Sequence, residues 1–393
     1  MDPRFDADRQ TVIDEVRRFV EREVVPVAHD MEHDDIYPLE LIEKLKTLGI
    51  FSATIPEAYG GLGFDFYTYS QIIEQLARGW MSLAGIVNTH ILVAYMIATY
   101  GTEEQRRAFL PVMAQGEKRG GICLSEANAG SDVQAITMTA RRDGSDYLLN
   151  GSKLWVTNGQ RGSIFAVLAR TDSAARPPYR GMSLFLVEKG TPGLSASRTF
   201  EKLGYKGVET AELVFDNVRV PAANLLGGVE GEGFKHAMSG LEVGRINVAA
   251  RAVGVAQAAF DDAIRYAQQR HTFGKPIAQH QAIQLKLADM ATKIEAARLL
   301  LHHAAQKKDR GERCDMEAGM AKLFATEMCQ EVTLEAMRIY GGYGYTTEFN
   351  VERYYRDAPF MLVAEGTSEI QRLVIARQLL ERYKLMNITD QDR

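Results

Sequence analysis

The feature that most constrains this fold is a hydrophobic period that changes twice along the chain. Up to about residue 120 the apolar residues recur at helical spacing. Val12, Ile13, Val16, Phe19 and Val20 form one stripe with charges between them, as on an amphipathic helix. Residues 39–48 repeat the pattern and stop at Gly49, and residues 67–77, 81–100 and 103–113 read as further helices. From there to about residue 225 short β-rich runs replace them, at 136–141, 147–156, 164–170, 182–187 and 211–220. Asp143-Gly144 between the first two is a hairpin signal, and Gly181, Gly190-Thr191-Pro192-Gly193 and Pro221 punctuate the rest. Helical spacing is absent here, so a β-barrel or sandwich is expected, not a parallel sheet alternating with helices. After the glycine-rich loop 227–233, helical spacing returns over 234–269, 277–308, 317–340 and 368–383. The expected architecture is a multi-domain α+β chain. It has an N-terminal helical domain (1–120), a middle β domain (121–230) and a C-terminal four-helix bundle (231–393).

Composition excludes several classes. The chain is 46% hydrophobic and 25% charged with a net charge of -5, so it can bury a large core. With no long basic run it favours neither nucleic acid nor a membrane surface. Cys123, Cys314 and Cys329 are isolated, which argues against a disulfide framework or a zinc site. Residues 1–10 mix Asp2, Asp6 and Asp8 with Arg4 and Arg9 and lack the apolar core of a signal peptide. A cytoplasmic location is the expectation. The longest apolar stretch, 86–100, is interrupted by Asn88, Thr89 and His90, so it reads as a buried helix rather than a membrane span. No dinucleotide-binding or P-loop glycine motif, zinc-protease motif or nucleophile elbow occurs, and the histidines form no metal pattern.

Two segments carry chemistry. Glu365-Gly366-Thr367 follows the apolar run 360–364 and precedes Ser368-Glu369-Ile370-Gln371, which fits a capping box with Ser368 at the cap. A carboxylate there is either a capping accessory or a tuned general base. Apolar burial would raise its pKa and the helix dipole would lower it. The second segment, 123–135 (CLSEANAGSDVQA), runs into a small-residue loop. Ala129-Gly130-Ser131 there is either an anion-binding nest or a plain polar turn.

Residues 123–135 resemble the first signature of the acyl-CoA dehydrogenase family, and the resemblance extends along the chain. Its further motifs are WVTNG (155–159), FEKLGYKGVETAELVFDNVRVP (200–221), GRINVAARAVGVAQAAF (244–260), RHTFGKPIAQHQ (270–281), YGGYGYTTEF (340–349) and AEGTSEIQR (364–372). Each is weak alone; seven in order are specific. The resemblance implies FAD-dependent oxidation of an acyl-CoA thioester to the trans-2-enoyl thioester, with electrons passing to an electron-transfer flavoprotein from a homotetramer. An oxidase on the same fold is the alternative, and a flavin-free scaffold a more distant one. Glu365 matches the family's catalytic glutamate. A minority of members place the base just before the arginine that matches Arg245, where this chain has Gly244.

The resemblance also implies cofactor contacts. Leu124 and Ser125 would lie along the flavin edge, Trp155 and Thr157 would flank the ring, and Thr367 and Glu369 would lie on the flavin side. Arg270, Thr272, Phe273, Gln281, Arg338, Gly341 and Gly342 would reach the adenosine half of a neighbouring subunit's FAD. Ser131 would meet the pyrophosphate or the pantetheine. Glu242 and Arg245 would face the thioester arm, with Ala364 and Gly366 beside the acyl group. Arg338 stands where the family commonly has glutamine. Ala364 stands where straight-chain members often have tyrosine, which suggests a branched or bulky acyl group. Leu83 stands where glutaryl-specific members have an arginine, which disfavours a dicarboxylic chain.

Overall fold

The computed structural model describes residues 3–384. Residues 1–2 of the charged N-terminal segment and residues 385–393 of the expected C-terminal domain lie outside the described residues. The first amphipathic stripe forms α1 (Pro3–Phe19), a π-helical turn (Val20–Val24) and α2 (Val25–His33), with Ile13, Val16, Val20 and Val24 buried. Helix α3 (Leu39–Thr47) stops at Gly49, whose φ of 72° is left-handed and suits a residue without Cβ. Helix α4 (Phe66–Gly79) begins where the Asp65 carboxylate accepts the Thr68 N–H at 2.8 Å. Helix α5 (Met81–Tyr100) is apolar all round. It is long and apolar enough to cross a membrane, but 89% of its most apolar window is buried inside the protein, so it is the core helix of this domain. Helix α6 (Glu103–Ala114) starts on a Thr102–Gln105 capping box.

The middle domain contains β1 (Gly120–Cys123), β2 (Thr139–Asp143), β3 (Asp146–Thr157), β4 (Ile164–Arg170), β5 (Met182–Glu188), β6 (Leu194–Ala196) and β7 (Thr210–Pro221). Asp143-Gly144 makes the expected hairpin, with Gly144 at φ 65° and β2 antiparallel to β3. Two groups of strands result. Strands β1, β4 and β5 form one, and β2, β3, β7 and β6 the other, joined through the Thr139–Arg170 pairing. Val167 and Phe185 of the first share a core with Leu149 and Phe215 of the second, which is the sandwich arrangement. The β1–β4 pairing is parallel. The short β1 gave the sequence no period from which to read that.

The third region is helical again: α7 (Gly233–Gln269), the small hairpin β8 (His271–Thr272) and β9 (Lys275–Pro276), α8 (Gln281–Asp309), α9 (Asp315–Tyr340), α10 (Val351–Val363) and α11 (Ser368–Arg382). Ala249, Ala252, Val253 and Ala256 of α7 are fully buried. A Cβ at Gly254 would lie 2.3 Å from the Glu74 carbonyl of α4, so glycine there allows the two helices their close approach. Helix α10 adds a fifth helix to the four expected. The apolar run 360–364 is largely its last turn, hidden from sequence reading by Pro359 inside the helix.

One buried carboxylate ties the layers together. Glu32 of α2 accepts from Trp80 Nε1 at 2.7 Å, from the Lys206 N–H at 2.9 Å and from the Gly207 N–H at 3.3 Å. Glu32→Ala strands all three donors in the interior. We expect it to lower stability by about 3 kcal/mol, measured as a shift in the urea midpoint, with the secondary-structure signal retained at low urea.

Candidate active site

The segment 364–368 is built by its neighbours. Thr367 is extended, with ψ 162°, and caps α11, its hydroxyl accepting from the Ile370 N–H at 3.3 Å. The cap therefore falls one residue before the expected Ser368, whose side chain is buried in the first turn. The shift follows from Gly366, which turns the chain at φ 91°, directly after Glu365 at φ 54°. A left-handed glutamate is uncommon and persists only where its surroundings fix it. Here Lys322 Nζ, from α9, donates to the Leu362 carbonyl at 3.1 Å and the Gly366 carbonyl at 2.9 Å. Gln371, expected to complete a capping box, instead donates to the Gly366 carbonyl at 2.9 Å. Lys322 is fully buried, and burial pulls its pKa down to about 8.

The Glu365 carboxylate has two unlike oxygens. Oε1 accepts from Asn88 Nδ2 of α5 and faces Arg251 Nη2 of α7 at 3.4 Å. Oε2 has no hydrogen-bond partner among the described residues. It points at Gly244 on α7, where an added Cβ would lie 1.7 Å from it. Burial raises the Glu365 pKa above the usual carboxylate range, opposed by Arg251, the Asn88 hydrogen bond, Lys322 and Arg245. A desolvated carboxylate with one oxygen held and the other free has the attributes of a general base. Arg245, one residue past Gly244, is buried, which lowers its pKa, and its Nε is unpaired among the described residues. Glu242, expected at the thioester arm, pairs with Lys308 Nζ at 2.9 Å. Ala364 is extended and half-buried beside Glu365.

A second group lies on the middle domain. Lys153 Nζ, fully buried, donates to the Leu124 carbonyl and to Glu126 Oε1, each at 2.9 Å, which fixes the chain just after β1. The Ser125 carbonyl accepts from the Leu154 N–H at 2.9 Å. Two residues along β3 from Lys153, Trp155 sits at φ 61° with 61% of its surface exposed, its ring 4.9 Å from that of Phe200. Thr157 ends the strand opposite Thr210. Ser131 is exposed in a bend between β1 and β2.

A third group lies around the small hairpin. Arg270, Thr272, Gly341 and Gly342, with Tyr266 and Tyr340, line a cavity of about 510 Å³. Phe273 at the hairpin tip is 96% exposed at φ 50°. Gln281 and Arg338 do not line this cavity. Gln281 opens α8, and Arg338 is exposed and pairs with Glu335 at 2.5 Å. Glu369 is exposed on the first turn of α11, 3.8 Å from Arg372. The cavity lining includes no residue of the Glu365 group.

Asn88, Arg251 and Lys322 were not singled out from sequence. Arg251 and Lys322 carry a signal in retrospect, each a lone cationic residue within a run of small or apolar ones, and Asn88 opens the polar trio 88–90 inside an apolar run. Two substitutions test the arrangement. Gly244→Ala should drive the Glu365 carboxylate off its position and slow substrate-dependent flavin reduction by at least about tenfold, with flavin content unchanged. Lys322→Met removes the Lys322 donor from the Leu362 carbonyl and leaves the Gly366 carbonyl to Gln371 alone, and should cost about 2 kcal/mol. Removing that cation also raises the Glu365 pKa further. The acid limb of the pH–rate profile should therefore move to higher pH, because the base acts when ionised.

Comparison with known proteins bears on the whole chain. Residues 6–117, 121–218 and 231–380 match the N-terminal, middle and C-terminal domain models of acyl-CoA dehydrogenase. An acyl-CoA dehydrogenase of Bacillus subtilis is 45% identical, covering 93% of this chain and 96% of its own. The human mitochondrial short-chain specific acyl-CoA dehydrogenase is 42% identical over 95% of this chain and 90% of its own. Among solved structures, butyryl-CoA dehydrogenase of Megasphaera elsdenii superposes with a TM-score of 0.92 at 41% identity, covering 95% of this chain and 98% of its own. A chain from a structure of the electron transferring flavoprotein of Acidaminococcus fermentans gives 0.92 at 40% identity, with the same coverage. The chain therefore belongs to the acyl-CoA dehydrogenase family of FAD-using oxidoreductases.

Proposed function

We propose that this chain oxidises the Cα–Cβ bond of a short acyl-CoA thioester to the trans-2-enoyl thioester, with Glu365 as the base. The observation that carries this reading is the free, desolvated Oε2 of Glu365 beside Gly244. Oε2 takes the proton from Cα, and a hydride leaves Cβ, so one C–C single bond becomes double. Bound FAD supplies the acceptor for that hydride. Asn88 and Arg251 hold Oε1 and leave Oε2 aimed at the substrate. By the family resemblance, the backbone N–H of Glu365 would meet the enolate-like charge that develops on the thioester oxygen. The relatives named for short-chain and butyryl substrates support a short acyl chain. The small Ala364 leaves room for a branch next to the base.

The residues present fit FAD. An exposed indole in a left-handed conformation, Trp155, is a costly surface feature for a free domain and a natural wall for a flat ring. Trp155 and Thr157 would flank the flavin, with Leu124 and Ser125 along its edge. The hairpin Phe273 and the cavity at Arg270, Thr272, Gly341 and Gly342 would hold the adenosine half across a subunit boundary. That arrangement is the reason to propose a homotetramer. The similarity to a chain from an electron transferring flavoprotein structure supports such a flavoprotein as the electron acceptor.

Glu365→Gln should remain yellow and folded, yet lose acyl-CoA-dependent flavin bleaching by about 10³-fold or more. Bleaching near the wild-type rate would remove Glu365 from the role of base. Reoxidation decides the acceptor: slow in air and fast with an electron transferring flavoprotein for a dehydrogenase, rapid with peroxide release for an oxidase.

A further inference from the structure

The wall of the site beneath Glu365 is too cationic for a purely aliphatic acyl group. Arg251 lies on α7 two turns beyond Gly244 and is 1% exposed. Its contact with Glu365 is long at 3.4 Å, its Nη1 reaches the Tyr205 hydroxyl at 3.2 Å, and its Nε has no hydrogen-bond partner among the described residues. The guanidinium lies 5.7 Å from the ring centres of both Tyr205 and Phe360, which hold it in one plane. Asn88 already donates to Glu365 Oε1, and its own Oδ1 is unpaired among the described residues. Glu365 alone therefore does not account for a buried guanidinium with donors in reserve.

The charge balance points the same way. Arg245, Arg251 and Lys322 are all buried around Glu365. The other carboxylates facing this group have cations of their own: Glu242 has Lys308, Asp315 has Arg313, and Glu327 and Glu369 have Arg372. Buried cations without counter-charge are costly, and an enzyme keeps them where a ligand provides the missing anion. Arg245 would serve the thioester arm, and Lys322 is committed to two backbone carbonyls. Arg251 remains.

We propose that the acyl group selected by this chain carries a second carboxylate close to Cβ, and that Arg251 receives it. This rests on the dehydrogenase reading above and names its substrate class: short dicarboxylyl-CoA thioesters. A distal carboxylate only one or two carbons beyond Cβ matches a guanidinium that already touches the proposed base. The arginine that the sequence lacks at Leu83, a fully buried apolar residue, is thus replaced by a cation from a different helix.

The test compares two CoA thioesters of equal length, glutaryl-CoA and the analogue whose distal carboxylate is replaced by its amide, on the FAD-loaded protein. Wild type should favour the carboxylate by at least about tenfold in kcat/KM. In Arg251→Gln that ratio should fall to near one. Any loss common to both thioesters reports the hold of Arg251 on Glu365. A wild-type ratio at or below one overturns the proposal, as does a ratio that Arg251→Gln leaves unchanged. Binding gives an independent readout. Glu365→Gln, titrated calorimetrically, should bind the carboxylate form at least about tenfold more tightly than the amide, and equal affinities overturn the assignment. If no acyl-CoA bleaches the wild-type flavin, the dehydrogenase reading fails, while the binding ratio still decides whether Arg251 recognises a carboxylate.

Discussion

Everything at the candidate site depends on how the Glu365–Gly366 peptide is held. A left-handed glutamate next to a left-handed glycine would relax in a free loop. Here a buried ammonium and a buried amide converge on the Gly366 carbonyl, and the same ammonium closes the end of α10 through Leu362. Three helices, α9, α10 and α11, thereby agree on one backbone geometry. The side chain of residue 365 is then delivered to α5 and α7, not to solvent. Capping alone would have left the carboxylate at the start of α11, where the helix dipole keeps it acidic. The extended Thr367 takes the cap instead, which frees the glutamate from that duty.

Helix α7 is the second half of the arrangement. Residues 244 and 251 are two turns apart, so they share a face. That face presents a gap to Oε2 and a guanidinium to Oε1. The Gly244 gap matters because a desolvated carboxylate needs space beside it that only a substrate fills. Further along the same helix, Gly254 lets α4 approach within contact distance of the backbone. One long helix thus sets both the closeness of the packing and the shape of the site.

Much of this was legible in the sequence. The α–β–α order followed from the change of hydrophobic period, and the hairpin at Asp143-Gly144 from turn chemistry. The alternation failed where residues broke their own rules. Pro359 concealed α10, and the short β1 concealed a parallel pairing. Ser368 looked like a better cap than Thr367 because capping preferences carry no knowledge of the turn that precedes them. The roles of Asn88, Arg251 and Lys322 were hidden for a different reason. A polar residue on an apolar helix face has no partner in sequence, and only the crossing of α5, α7 and α9 with the 364–368 segment gives these three a common target.

Two opposing influences meet at Glu365. Burial pushes Glu365 toward the neutral acid, and the surrounding cations and the Asn88 amide push it back toward the carboxylate. A base that operates near neutral pH needs both, since unopposed desolvation would leave it protonated and unopposed cations would leave it too weak. Lys322 contributes to each side at once. It fixes the backbone that buries Glu365, and its charge resists the resulting rise in pKa. Its own depressed pKa means that this resistance weakens as pH rises through about 8.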